Sequence, residues 1–117
     1  MKGWIAVDLD GTLAEKFSSV EEIGAPQPAV VLYVKKLIYT QNEDVRIFTA
    51  RVSGSDLAWR RKQELLIQQW CLKHLGVILP VTAIKASGLK LIIDDLAINS
   101  REIINGQSDA YNKAGRF

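Results

Sequence analysis

A chain of 117 residues fits one domain, because two would each be too small to bury an adequate core without staples. Its 48% hydrophobic and 24% charged residues match soluble globular proteins and argue against disorder. A net charge of +2 is too mild to indicate a nucleic-acid partner, and a lone cysteine, Cys71, excludes an internal disulfide or a multi-cysteine metal site.

The elements follow in chain order. Trp4 to Leu9 is a short apolar run ending in Asp10-Gly11, which reads as a fully buried strand running into a turn. Too short for a signal sequence or a membrane span, it leads to the expectation of a cytoplasmic, soluble protein, one domain over residues 1–117. Residues 12–25 show no clean period and read as an irregular excursion, with a small hairpin or flap. From Pro28, the residues Val30, Val31, Val34, Leu37 and Ile38 recur at helical spacing and predict a helix that fades before Asn42. Val45 to Phe48 is a second buried strand, leading to Thr49, Ala50 and Arg51.

Ser55 or Asp56 then caps a long helix whose apolar stripe comprises Trp59, Leu66, Ile67, Trp70, Cys71 and Leu75, and Gly76 stops it. Arg60, Arg61 and Lys62, the dense basic run of the chain, read as a solvated face of this helix. His74 falls in its last turn, where the helix dipole favours a cation. A third strand lies within Val77–Ile84, bounded by Pro80, and a fourth is Leu89–Ile93, ending at Asp94-Asp95; a short helix follows around Ile98–Ile104. The tryptophans read as packing residues. This alternation predicts an α/β fold: a doubly wound parallel sheet, Rossmann-like, in three α/β/α layers.

Ligands of such sheets bind beyond the carboxyl ends of the strands. Those ends carry Asp8 with Asp10, then Thr49, then Lys85, then Asp94 with Asp95. Side chains two apart on a strand share a face, so Asp8 and Asp10 are expected in one cavity, with Gly11 allowing the sharp turn and Thr12 securing it. Like charges ~5 Å apart repel by roughly 3 kcal/mol at an effective dielectric near 20. Convergent carboxylates therefore call for a hard divalent cation with oxygen ligands, and Mg2+ is expected.

Asp-Leu-Asp-Gly-Thr-Leu at 8–13, Thr49 after Arg46-Ile-Phe48, an intervening lysine, and Asp94-Asp95 after Leu91-Ile-Ile93 together resemble the haloacid dehalogenase superfamily over about residues 4–99. The resemblance implies a Mg2+-dependent phosphohydrolase in which Asp8 attacks phosphorus and carries a transient aspartyl phosphate. Asp10 would serve as general acid and then base. Thr49 would hydrogen-bond a phosphoryl oxygen, Lys85 would neutralise the phosphoryl group, and the metal would sit between Asp8, the Asp10 backbone carbonyl, Asp94 and Asp95. Lys90 competes for the lysine role but lies at the start of its strand, where a solvated lysine is expected. Arg51 reads either as a contact to substrate phosphate or as a surface arginine.

Larger relatives insert a cap domain, for which residues 13–48 and the single long helix leave no room, so a capless enzyme is expected. Its open site suits a macromolecular phosphate such as a nucleic-acid end or phosphoprotein, or a small phosphomonoester enclosed by a second subunit of a homo-oligomer. The spacing from Lys85 to Asp94 is short for the family. Two other readings compete: a phosphate-binding protein of this fold without turnover, and a receiver-type phosphoacceptor domain, whose acidic pair lies at the first strand and whose phosphorylated aspartate comes later, the reverse of the order here.

Overall fold

The computed structural model describes residues 3–16, 19–96 and 100–104. Its elements are β1 (Trp4–Asp8), α1 (Pro28–Lys35, continued by a wider π turn over Lys36–Thr40), β2 (Asp44–Phe48), a 3-10 turn over Ala50–Val52, α2 (Leu57–Leu75), β3 (Val81–Thr82), β4 (Leu89–Ile93) and α3 (Ser100–Ile104). The end of the last expected helix is observed; residues 97–99, where it was expected to begin, lie outside the described set.

The strands form one all-parallel sheet in the order β3-β2-β1-β4. This establishes the α/β class. The central strand β1 is apolar on both faces because both are buried. Ile5 and Val7 lie level with Val45 and Ile47 on β2. Together they form a core with Val34 and Leu37 of the first helical segment and Ile67, Trp70, Cys71 and Leu75 of α2. The opposite face carries Trp4 and Ala6, both buried, with the Arg46 guanidinium 4.6 Å above the Trp4 ring.

Both longer helices thus pack on one face. The chain steps in the same direction from β1 to β2 to β3, and right-handed crossovers moving one way deposit their helices on the same side. The return from β3 to β4 uses only residues 83–88, too few for a helix. Among the described residues these two helices cover one face, and the expected full three-layer arrangement is not seen there.

The long helix begins where Asp56, not Ser55, accepts the Trp59 N–H at 3.1 Å, and it ends at Gly76, whose φ of +79° places it in the left-handed region. Tyr39 donates its hydroxyl to the Leu75 carbonyl at 2.7 Å, tying the ends of the two helical segments together. Trp59 and Leu66 are only half-buried, and the apolar stripe instead contains a buried polar residue, Gln63. Cys71 is a core residue whose thiol is pushed up to about 11 by burial. His74 departs from the dipole argument: burial first, then the charges of Lys73 and Lys35, lower its pKa, and its ring packs 4.6 Å from that of Trp70. No helix among the described residues is long and apolar enough to cross a membrane.

Ile67 is fully buried at the centre of this core. Ile67→Ala is expected to lower unfolding free energy by about 2–5 kcal/mol, whereas Leu72→Ala, on the exposed side of the same helix, changes it by less than about 1 kcal/mol; urea melts of both variants check this.

Candidate active site

The register Val7↔Ile93 sets the ends of β1 and β4 level, so Asp8 closes one strand beside Asp94 and Asp95, which follow the other. Each of the three offers a carboxylate oxygen within 4.8 Å of the others, and all three are half-buried. Thr12 organises them. Its hydroxyl accepts the Asp95 N–H at 3.0 Å and lies 3.2 Å from both Asp8 Oδ2 and Asp95 Oδ1, able to donate to one of them at a time. Gly11 makes the approach feasible: its φ is +86°, and a Cβ there would lie 2.9 Å from Asp95 Oδ2. Asp94 Oδ1 accepts the Leu96 N–H at 2.8 Å, ordering the turn after β4. Thr12 was read as a turn residue; it also fixes two of the carboxylates.

The crowding shows in the electrostatics. The Asp8 carboxyl is pushed up to about 6, first by burial and next by the charge of Asp94. The Thr12 hydroxyl opposes that rise, Asp95 adds to it, and the Leu9 N–H pulls weakly back. An all-oxygen donor set with this excess of negative charge fits a hard divalent ion such as Mg2+ better than a softer metal that prefers nitrogen or sulfur.

Asp10 does not join this group. Strand β1 stops at Asp8, and Asp10 turns to Arg51, whose Nε and Nη2 donate to its two carboxylate oxygens at 2.8 and 2.9 Å. Any part Asp10 takes in metal binding therefore falls to its backbone carbonyl. Arg51 is neither a surface residue nor open to a phosphate. Its Nη1 donates to the Val20 carbonyl at 3.1 Å and to Gln63 Oε1 at 2.9 Å, and Nη2 also donates to the Glu22 carbonyl at 2.7 Å. These five bonds use all five guanidinium N–H groups. Arg51 thereby clamps the end of β1, the loop through residues 19–26 and α2. Gln63 completes the clamp by donating to the Val20 carbonyl at 2.8 Å.

A scan of protein-family models finds no match, and a comparison with curated proteins finds none either. One solved structure, a conserved protein from Bacteroides thetaiotaomicron, is similar over 92% of this chain and 93% of its own, with a TM-score of 0.50 and 20% identity. At that identity the likeness is one of fold.

The remaining expected residues divide. Thr49 is buried at the end of β2, one residue past Phe48, which lies level with Asp8 on the neighbouring strand. Its Oγ1 accepts the Arg51 N–H at 3.2 Å, which leaves its proton to donate. Lys85 lies in the exposed connection between β3 and β4, and no hydrogen bond or ion pair joins it to the acidic cluster. Lys90 lies away from the cluster: Leu89 pairs with Trp4 at the opposite end of the sheet, and the Lys90 ammonium binds Glu43 at 2.6 Å.

Two outcomes follow from this geometry. Without divalent ions, Asp8 is protonated in both folded and unfolded states below about pH 4; stability then falls as pH rises toward about 6, because only the folded state resists ionisation. Mg2+ needs the ionised carboxylate, so its addition is expected to raise the melting temperature more at about pH 7.5 than at about pH 5, as thermal melts with and without the ion would register. Arg51→Lys, which cannot reproduce the planar fork, is expected to cost about 3–5 kcal/mol in urea unfolding by leaving Asp10 and Gln63 poorly paired.

Proposed function

We propose that the chain is a Mg2+-dependent phosphomonoester phosphatase of haloacid dehalogenase type, acting through an aspartyl phosphate on Asp8. The supporting observation is the group of Asp8, Asp94 and Asp95, ordered by Thr12 at the carboxyl ends of adjacent parallel strands. Asp8, Asp94 and Asp95 would hold the Mg2+, with the Asp10 carbonyl as a further ligand. When bound, the ion supplies positive charge that offsets both the acidic cluster and the phosphoryl group.

The protein's own residues supply the rest. Thr12 engages Oδ2 of Asp8, leaving Oδ1 to attack phosphorus. The bond from phosphorus to the leaving oxygen breaks, and that oxygen takes the electron pair together with a proton from Asp10. Water then attacks the aspartyl phosphate and gives a proton to Asp10; the bond between phosphorus and Asp8 breaks, releasing inorganic phosphate and restoring the carboxylate. Thr49 donates its hydroxyl proton to a phosphoryl oxygen, and Lys85, exposed in the connection between β3 and β4, would have to reach toward the phosphoryl group to neutralise it.

One observation favours a second reading, a phosphate-binding protein without turnover: both oxygens of Asp10 are engaged by Arg51. Each carboxylate oxygen has a second lone pair, so a proton can be taken up there, at the cost of weakening the ion pair with Arg51. An aryl phosphate assay separates the two. Turnover in Mg2+ is expected to vanish on chelation and in Asp8→Asn, and to fall roughly 10²–10⁴-fold in Asp10→Asn. A wild-type protein that binds phosphate in Mg2+ and hydrolyses none would instead select the binding reading.

A further inference from the structure

At the carboxyl ends of β2 and β3, on the side of the sheet away from β4, lies a groove of about 490 Å3, within the range of small-ligand sites. Val81 and Ile84 form one wall, while Leu57, Arg60, Arg61 and Glu64 approach from α2. Leu57 and Ile84, 71% and 68% exposed, give the groove apolar edges. Neither the Arg60 nor the Arg61 guanidinium forms a hydrogen bond or ion pair with the described residues, whereas Glu64 accepts from Gln68 at 3.3 Å. The groove therefore presents two uncommitted guanidinium groups and one carboxylate already engaged, beside apolar walls.

Its distance from the proposed nucleophile follows from the register. Thr82, which lines the groove, lies level with Phe48, and Phe48 lies level with Asp8. Two strand spacings separate the groove floor from Asp8, about 10 Å. Thr49 stands on the strand between them. An apolar wall followed by paired guanidinium forks suits a leaving group with a carbon portion that ends in a phosphate, since arginine binds that group through parallel hydrogen bonds.

We propose that this groove binds a second phosphate on the substrate, held by Arg60 and Arg61 while the first is attacked at Asp8. This rests on the phosphatase reading and narrows its substrate class to phosphomonoesters carrying two phosphates. The second phosphate comes either from a small bisphosphate or from the adjoining nucleotide of a phosphorylated polynucleotide end.

The test compares kcat/KM for p-nitrophenyl phosphate, for alkanediol bisphosphates of increasing chain length and for a terminally phosphorylated oligothymidylate. The wild-type protein is expected to prefer a doubly charged substrate, with a chain-length optimum among the diols at an extended span of about 10 Å or more, since the guanidinium groups stand on α2 above a groove floor two strands from Asp8. A preference for the oligonucleotide over every diol identifies the polynucleotide source. In R60A/R61A, or the less disruptive R60Q/R61Q, the ratio of kcat/KM for the best doubly charged substrate to that for the aryl phosphate is expected to fall roughly 10- to 100-fold. Lys62→Ala, a neighbouring charge outside the groove, is expected to leave the ratio as in wild type. A ratio unaltered in both double variants, or lowered equally by Lys62→Ala, overturns the proposal. If the wild-type protein hydrolyses none of these, the phosphatase reading fails by itself. Calorimetric titration of a diol bisphosphate and a diol monophosphate then tests the groove: a preference for the bisphosphate that R60A/R61A abolishes supports it, and equal affinity overturns it.

Discussion

Three carboxylates held within 4.8 Å of one another repel, and a fold that brings them together must oppose that repulsion. Here the means are local and polar. The Thr12 hydroxyl bridges Asp8 and Asp95, and the bare backbone of Gly11 lets the Asp95 carboxylate come close. These contacts leave the negative charge in place, and the elevated pKa of Asp8 records that. A divalent cation is the physical complement of the arrangement, and the phosphatase proposal grows from that complementarity.

A second constraint acts around Asp10. A buried guanidinium is tolerable only when its charge is paired and its donors are satisfied, and Arg51 meets both conditions through Asp10, Gln63 and two loop carbonyls. The irregular segment after β1 is thereby attached to α2 through Arg51 and Gln63, and Trp70 adds a bond to the Gly24 carbonyl. The arrangement separates two tasks among aspartates only two residues apart in sequence. Asp8 gathers charge with Asp94 and Asp95, while Asp10 holds the architecture together through Arg51.

Much of this was legible in the sequence because the signals were local. Short apolar runs ending in aspartate marked β1 and β4, and a parallel sheet brings such ends together. Asp56 and Gly76 marked the bounds of α2 through cap chemistry. The partnership of Asp10 was hidden for a physical reason: alternation of side chains holds only along a strand, and β1 ends before Asp10. Arg51 reads as a phosphate contact or a surface arginine because its acceptors lie far away in the chain, at residues 10, 20, 22 and 63. Gln63 did carry a signal, a polar residue four positions before Ile67 on the buried stripe, which calls for a partner inside. Among the described residues the two longer helices lie on one face, and the short return between β3 and β4 already left no room for a helix between those strands.

The central claim is that the acidic cluster is a cation site. Anomalous diffraction from crystals soaked in Mn2+ at about pH 7.5 tests it most directly, Mn2+ sharing the oxygen preference of Mg2+. The account predicts a strong peak among the carboxylate oxygens of Asp8, Asp94 and Asp95. Crystals that bind Mn2+ elsewhere, with no peak among those three side chains, would contradict it.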